Sequence, residues 1–246
     1  MSQRNPFVER NVASRRGGPV KDPLSRDRIV QAAYELLAEG GLESMSLRKV
    51  AARLETGAAS LYAYVEDLRE LQALVLDHAL GKVRFPKSRG QDWRSRLVAL
   101  LRSYVNVLIE TPGLAHIAMN SIAAGPNALR IIEAELALLE EAGVGATTSA
   151  WAVDLLSLYG TAIAAEQSHR KEHGNPFEPL LRTLEQLSAR EYPRVHASRE
   201  SLVSGDGEER FEWAIDVLLN GLLRSATPNA RASVARKRSP GAPSTT

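Results

Sequence analysis

Residues 24–80 combine a helical apolar period with closely spaced stop signals, and this pattern is the strongest constraint on the fold. Ser25 is placed to cap a first helix, in which apolar residues recur at the i, i+3, i+4, i+7 and i+8 positions of one face. Gly40 and Gly41 are expected to end that helix because glycine tolerates a left-handed backbone. The pattern predicts a bundle of short helices rather than one long helix.

Two short helices are predicted next, joined by small residues. Ser46 is placed to cap the second helix, and residues 57–59 predict a tight turn into a third helix that runs to Tyr64. Asp67 and Glu70 have the spacing of a capping box that opens a fourth helix. The inner face of the fourth helix is predicted to hold Leu71, Leu74, Val75 and His78. A second and third helix of this kind form a helix-turn-helix, in which the latter helix fits the major groove of DNA.

Seven residues of this region are the candidate contacts with DNA, because hydroxyl groups and long cations can bond phosphate oxygens or base edges. Arg48 lies one turn into the second helix, where it can reach a phosphate or a guanine edge. Lys49 is expected to point to solvent and Ser46 to serve mainly as the helix cap, and either tyrosine could instead pack on the helix scaffold. The candidates are Ser46, Arg48, Lys49, Ala59, Ser60, Tyr62 and Tyr64.

The region from Ser25 to Leu80 resembles the N-terminal domain of the TetR family of transcriptional regulators. The matching runs are Ile29-Val30-Gln31-Ala32-Ala33, Gly41-Leu42, Ser46-Leu47-Arg48-Lys49-Val50-Ala51, Ser60-Leu61-Tyr62 and Tyr64-Val65. A weaker resemblance at residues 211–222 is to the last dimerisation helix of the tetracycline-repressor branch. The resemblance implies a dimeric all-α repressor with a ligand pocket in its C-terminal domain, and a base-reading role for Arg48.

Two places depart from the family's pattern. Leu54-Glu55-Thr56 stands where leucine-glycine-valine is usual, and Leu68 stands where a phosphate-binding lysine is usual. Both departures predict weaker contacts with the DNA backbone without a change of fold. They leave open a second interpretation, in which the protein is a small-molecule carrier or co-regulator of the same fold with weakened DNA binding.

Composition excludes several other classes of protein. The chain has 246 residues, of which 44% are hydrophobic and 24% charged, so it can bury the cores of one or two globular domains. It has no cysteine, which suits a reducing cytoplasm, and no run of about 20 apolar residues that could span a membrane. The sequence lacks Gly-x-Ser-x-Gly, His-Glu-x-x-His and a phosphate-binding loop, so an enzyme is not expected.

The chain divides into four predicted segments. Residues 1–23 form a polar, disordered arm, residues 24–80 the helix-turn-helix domain, residues 81–225 a helical ligand-binding and dimerisation domain, and residues 226–246 a disordered tail. Basic residues in the arm and the tail could touch the DNA backbone or only improve solubility. No segment alternates like a strand, so the predicted class is all-α, with a three-helix helix-turn-helix domain and a helical bundle.

Two of the C-terminal helices are predicted to be apolar on more than one face, namely those at 147–173 and 208–224. The second face is expected to pack on the same helices of a second copy, or alternatively inside a monomer core. The region between residues 191 and 206 shows no period and is predicted to be a loop. The remaining predicted helices lie at about 91–110, 114–123, 127–142 and 176–189.

A small-molecule effector pocket is expected inside the C-terminal bundle, with mostly apolar walls and a few polar groups. Met119 and Trp151 could instead be core residues. Tyr104 matches a pocket aromatic of the tetracycline repressor, but Ala118 stands where that protein has its metal-binding histidine, so the resemblance does not extend to a metal–tetracycline ligand. The pocket candidates are Tyr104, His116, Met119, Asn120, Trp151 and Asp154.

A pair of histidines, His169 and His173, has the i, i+4 spacing of metal ligands on one helix face. A third ligand is not evident, and Arg170 and Lys171 between them would repel a cation, so neither a metal nor another cofactor is expected. Taken together, the sequence predicts a homodimeric, cytoplasmic repressor that binds a palindromic operator in double-stranded DNA and is released by a small-molecule effector.

Overall fold

A computed structural model describes residues 5–8, 23–87, 92–174 and 177–224, and all regular secondary structure in these residues is helical. The predicted all-α class is confirmed. Eleven helices follow one another in the described residues: α1 (Arg26–Ser44), α2 (Leu47–Arg53), α3 (Ala58–Leu61), α4 (Leu68–Leu80), α5 (Trp93–Glu110), α6 (Leu114–Asn120), α7 (Pro126–Glu141), α8 (Ala146–His173), α9 (Phe177–Glu185), α10 (Pro193–Val203) and α11 (Gly207–Arg224).

The predicted caps start three of the N-terminal helices. Ser25, Ser46 and Asp67 lie in extended backbone, and the side chain of each accepts a hydrogen bond from the backbone N–H three residues further on. These bonds satisfy amides that have no partner within the helix. The predicted stop in α1 is also present, because the backbone leaves helical geometry at Gly40 and Gly41, with φ of 65° at Gly41.

The turn between α2 and α3 uses a different residue from the one predicted. Glu55 has φ of 50°, in the left-handed region, and it is the one non-glycine residue with positive φ in the described part of the chain. Gly57 has φ of −77°, and a Cβ placed there would meet nothing within 4 Å. The predicted tight turn at residues 57–59 therefore does not need a small residue at position 57 for the two helices to approach. The third helix is also shorter than predicted and ends at Leu61.

Helix α4 packs against both halves of the chain, and this changes its predicted inner face. It contacts α1 of the N-terminal half and α5, α6 and α7 of the C-terminal half. Leu71, Leu74 and Val75 are buried as predicted, but His78 is exposed and Asp77 is buried instead. The reason is that the start of α7 contacts α4 at Asp77. A helical period with one buried stripe does not predict this second contact.

The C-terminal bundle is built around α8, which packs on α5, α6, α7 and α11. The rings of Tyr159 on α8 and Phe211 on α11 lie 6.2 Å apart and nearly parallel. Within the described ranges, no single helix has the length and apolar composition of a membrane span; α5 and α6 meet these criteria only as a pair bent by 113°.

The predicted loop at residues 191–206 is wrong, because α10 occupies most of it. Pro193 stands at the start of α10, where its fixed φ and missing N–H favour the first turn of a helix. No residue of α10 is buried, so the helix carries no apolar stripe that its sequence could reveal. Its neighbour in the fold is α9.

Part of the N-terminal arm lies against the fold instead of being free of it. Phe7 packs on the core, and the carbonyl of Val8 accepts a hydrogen bond of 3.2 Å from Arg26 on α1. The prediction of disorder for the rest of the arm, like that for the tail at 226–246, falls outside the described residues. The side chain of His173 is also outside them.

Candidate nucleic-acid interface and ligand cavity

Five of the seven predicted contact residues, on or next to helices α2 and α3, are exposed to solvent. Val50 and Leu61 are fully buried and hold the two helices onto the core, so the opposite faces point outward. Tyr62 keeps 56% of its surface exposed, so its ring and hydroxyl group are accessible to a partner. The exposed residues are Arg48, Lys49, Ala59, Ser60 and Tyr62.

Three of the predicted contact residues, including the exposed Lys49, make bonds within the protein. Ser46 caps α2. The ammonium group of Lys49 donates to the carbonyl of Glu43 at 2.7 Å, and the hydroxyl of Tyr64 donates to the carbonyl of Leu24 at 2.7 Å. For Tyr64 the structure favours the scaffold role, because this bond ties the residues after α3 to the start of α1.

The departure from the family's pattern at Leu68 has a structural reason. Leu68 is half-buried and packs against the core at the start of α4, while the neighbouring Arg69 is exposed. The apolar side chain therefore contributes to helix packing at a position where the family usually has a cation.

A cavity of about 510 Å³ lies in the C-terminal bundle between α5, α6, α7 and α8, with Leu80 of α4 at one edge. Apolar side chains form most of its wall, among them Ala128, Ile131, Ile132 and Val153. The polar groups at the wall belong to Tyr104, Ser121, Asp154, Ser157 and Thr161. This is the size and composition of a small-molecule site.

The cavity contains three of the six predicted pocket residues, Tyr104, Met119 and Asp154. The structure places the other three outside it. Asn120 bends back so that its amide donates to the carbonyl of His116 at 2.9 Å, and both side chains are exposed at the end of α6. Trp151 is 53% exposed on an outer face of α8. The helix assignments were right, but the rotation of α6 and α8 about their axes was not predictable from period alone.

A second, more open groove of about 550 Å³ lies beside α1, α2 and α4. Charged side chains form much of it, and Arg53 at its edge already pairs with Glu35 and Glu39. The groove is also more open to solvent than the cavity of the C-terminal bundle, so we take that cavity as the ligand site.

Glu135 on α7 is a buried acid that the sequence analysis missed. It is 1% exposed, and its Oε2 has no hydrogen-bond partner among the described residues. Burial raises the pKa of Glu135 to about 8, so its carboxyl group is mostly protonated at neutral pH. The spacing was a usable signal, since Glu135 lies four residues after Ile131 and seven after Ala128, both on the cavity wall.

Tyr104 is a second buried titratable group, and it lies on the cavity wall. Burial is the main cause that raises the pKa of Tyr104, and the negative charge of Glu135 raises it further. The phenol therefore stays protonated and can donate a hydrogen bond.

Helices α8 and α11 leave apolar side chains exposed at helical spacing. Trp151, Leu155 and Leu158 recur at i, i+4 and i+7 on α8, with exposed fractions of 53%, 39% and 57%. On α11, Trp213 and Val217 are 69% and 48% exposed. The two helices pack on each other, and Leu158 also lines the mouth of the cavity.

An exposed helix-turn-helix joined to a bundle with a ligand-sized cavity defines a DNA-binding protein of the regulatory class. Residues 29–65 match the family described as bacterial regulatory proteins, tetR family, and residues 85–225 match the tetracyclin repressor-like C-terminal domain. The chain therefore belongs to the TetR family of transcriptional regulators.

Named relatives agree with this assignment. An HTH-type transcriptional regulator of Saccharopolyspora erythraea is 34% identical over 84% of this chain and 87% of its own length. The HTH-type transcriptional repressor DrrR1 of Streptomyces coeruleorubidus is 30% identical over 83% of this chain and 79% of its own. These relatives are regulators, and the protein is a DNA-binding transcriptional regulator rather than an enzyme.

The crystal structure of apo ActR from Streptomyces coelicolor has a similar fold, with a TM-score of 0.76 and 34% identity over 83% of this chain and 97% of that chain. The same protein has been solved in complex with actinorhodin, with a TM-score of 0.75 and 34% identity over 82% of this chain and 97% of that chain. Ligand binding within this fold is thus documented for a similar protein.

Proposed function

We propose that the protein is a homodimeric repressor that binds a palindromic operator and releases it when a small molecule enters the cavity. The observation that carries the proposal is the combination, in one chain, of an exposed helix-turn-helix and an apolar cavity whose wall includes Leu80 of α4. A ligand can change DNA affinity only if it binds one arrangement of the chain more tightly than the other.

The exposed residues of α2 and α3 support DNA recognition. Arg48 can donate two hydrogen bonds to a guanine edge, and the loss of such a contact costs about 1–3 kcal/mol of discrimination. Ser60 and Tyr62 offer hydroxyl groups for phosphates or base edges, and Ala59 allows close approach of the backbone.

The exposed apolar residues of α8 and α11 support a two-fold dimer. A second copy would cover both helices in a four-helix interface, which removes an apolar patch from water. Two recognition helices in such a dimer lie roughly 34–36 Å apart, which matches one turn of DNA. Trp213→Glu is expected to give monomers in sedimentation velocity, whereas Leu202→Glu on α10 adds the same charge at another exposed apolar position and is expected to stay dimeric.

The cavity supports an effector that is mostly apolar and carries a few hydrogen-bonding groups. Actinorhodin is the first compound to test, because ActR binds it in the same fold. Ile132→Trp is expected to fill the cavity and abolish binding without unfolding the protein. Leu129→Trp is the matched control, because residue 129 is on the same helix but 55% exposed.

DNase footprinting on the DNA beside the protein's own gene tests the proposal. The wild type should protect an inverted repeat at low salt, and Arg48→Ala should lose that protection while it keeps its dimer and its melting temperature. Arg130→Ala removes the same charge from an exposed site on α7 and should protect like the wild type. Absence of any protected inverted repeat for the wild type would refute the repressor.

Arg48→Ala and Tyr62→Ala also test the alternative that the protein is a small-molecule carrier or co-regulator. That alternative draws on the left-handed Glu55 and the packed Leu68, which both depart from the family's DNA-binding pattern. A carrier would keep its full cellular activity and its ligand affinity after Arg48→Ala and Tyr62→Ala.

A further inference from the structure

Asp77 is a buried carboxylate that joins the two halves of the chain. It belongs to α4, yet its Oδ1 accepts hydrogen bonds from the backbone N–H groups of Asn127 and Ala128 on α7, both at 3.0 Å. α7 has no capping side chain of its own, because its N-cap residue is Gly125. The cap that the start of this helix needs is therefore supplied by a helix of the DNA-binding half.

Asn127 adds two more hydrogen bonds to this contact between Asp77 and the start of α7, which we call the joint. Its Nδ2 donates to the backbone carbonyl of Asp77 at 3.0 Å and to Oδ2 at 3.1 Å. Four hydrogen bonds thus connect one residue of α4 with two residues of α7. A carboxylate is a strong acceptor at this place, because the first N–H groups of a helix lack partners and carry partial positive charge.

The joint is tight and sheltered from water. A Cβ at Gly125 would lie 2.3 Å from the Asp77 carboxylate and 2.5 Å from the ring of Phe7, so this approach requires glycine. The ring of Phe7 lies against Gly125 beside this contact, and Asp77 is only 7% exposed. The carbonyl after Phe7 accepts a hydrogen bond from Arg26, which pairs with Glu70 of α4 at 3.1 Å and so holds the arm in place.

We propose that Asp77 is the positioning residue that couples the cavity to the DNA-binding surface, and that Phe7 shields this joint. Ala128 connects the two features directly, because its side chain lies on the cavity wall while its N–H is bound to Asp77. A change in the cavity that shifts the first turn of α7 must stretch or break these hydrogen bonds or move α4. Breaking the bonds would leave buried amides without a hydrogen-bond partner, because water does not reach them. A movement of α4 is therefore favoured over breaking the bonds.

The effector's part in this coupling rests on the proposed function, but the coupling itself is testable without DNA or ligand. The chain has no native cysteine, so Ala52→Cys on α2 and Ala137→Cys on α7 give a pair of exposed sites for spin labels. Labelled chains diluted with unlabelled protein report the α2–α7 distance within one chain. The parent pair is expected to give one narrow distribution, and Asp77→Ala a broader or shifted one.

A large side chain that fills the cavity serves as the perturbation whose effect on the α2–α7 distance is measured. Ile132→Trp is expected to shift the α2–α7 distance in the parent background but not together with Asp77→Ala, because the joint that transmits the shift is gone. Asn127→Ala and Phe7→Ala are milder variants that should broaden the distribution even if Asp77→Ala fails to fold. Each is expected to reduce the effect of Ile132→Trp on operator affinity about two- to thirty-fold.

The matched control is Asp92→Ala. Asp92 caps α5 through the N–H of Ser95 at 2.9 Å, so its loss removes a helix cap without touching the joint between α4 and α7. Equal distance distributions for Asp77→Ala, Asn127→Ala and Asp92→Ala would overturn the inference. Failure of the wild type to bind any operator would instead overturn the proposed function, and the label distances would still decide the coupling.

Discussion

The hydroxyl of Tyr104 donates a hydrogen bond of 2.7 Å to Oγ1 of Thr161 at the wall of the cavity. The direction follows from the second bond of Thr161, whose hydroxyl donates to the carbonyl of Ser157 at 2.8 Å and therefore has only lone pairs left for Tyr104. This polar contact ties α5 to α8 inside a wall that is otherwise mostly apolar.

Tyr104→Phe is expected to lower the free energy of unfolding by about 1 kcal/mol, because it removes a buried donor and leaves an acceptor of Thr161 unpaired. Thr161→Val should have a similar cost in urea unfolding. In the double variant the two costs should not add, because both remove the same bond. Full additivity would contradict a direct hydrogen bond between them.

Glu135→Gln is expected to change how stability depends on pH. The folded-state pKa of Glu135 is raised to about 8 from a usual value of 4.5, so between these values the folded chain holds a proton that the unfolded chain has lost. The free energy of unfolding of the wild type should therefore fall as pH rises between these two pKa values, by up to about 1.4 kcal/mol per pH unit. Below and above that range, Glu135 should add no pH dependence.

Glutamine does not titrate, so Glu135→Gln should become more stable relative to the wild type between about pH 5 and pH 8. Chemical unfolding at the two ends of that range measures the difference. Glu133→Gln, at an exposed position of the same helix, should follow the wild type. Parallel pH profiles for the wild type and Glu135→Gln would show that burial does not shift this acid.

Glu55→Gly is expected to stabilise the protein. A left-handed backbone costs an L-residue about 1–2 kcal/mol, and Glu55→Gly removes this strain. Part of the stabilisation is offset because glycine loses more conformational entropy on folding than other residues do. The net increase in the free energy of unfolding should be about 0.5–1 kcal/mol, measured by thermal or urea unfolding. Glu55→Ala keeps a Cβ and should not stabilise; equal gains for both variants would point to the side-chain charge instead.

Tyr62→Phe and Tyr64→Phe form a matched pair that separates recognition from folding. The hydroxyl of Tyr64 is bonded to the carbonyl of Leu24, so Tyr64→Phe should cost about 1 kcal/mol of stability and leave DNA affinity nearly unchanged. Tyr62 is exposed, so Tyr62→Phe should keep its stability and weaken operator binding. If Tyr62→Phe instead lost stability and Tyr64→Phe lost operator affinity, Tyr64 would be the contact with DNA and Tyr62 the scaffold residue.

Local signals in the sequence were sufficient for most helix ends. Ser25, Ser46 and Asp67 act through contacts three residues away, so their capping roles follow from spacing alone. The helix α10 escaped prediction for the opposite reason, because it buries no residue and so has no period. Propensity without burial is a weak signal.

The polar groups of the site were harder to predict because they depend on contacts between distant helices. Glu135 stands near other acids of α7, such as Glu133 and Glu140, and reads as part of a solvated face unless its spacing from Ala128 is followed. The burial of Asp77 depends on the first turn of α7, fifty residues away in sequence. No period within α4 carries that information.

The capping of α7 by Asp77 also limits how far this regulator is modular. A DNA-binding half grafted onto the bundle of another protein would carry a buried acid with no amides to accept from, and the bundle it left behind would begin α7 with uncapped amides. Functional chimeras should therefore exchange Asp77, Gly125 and Asn127 as one set.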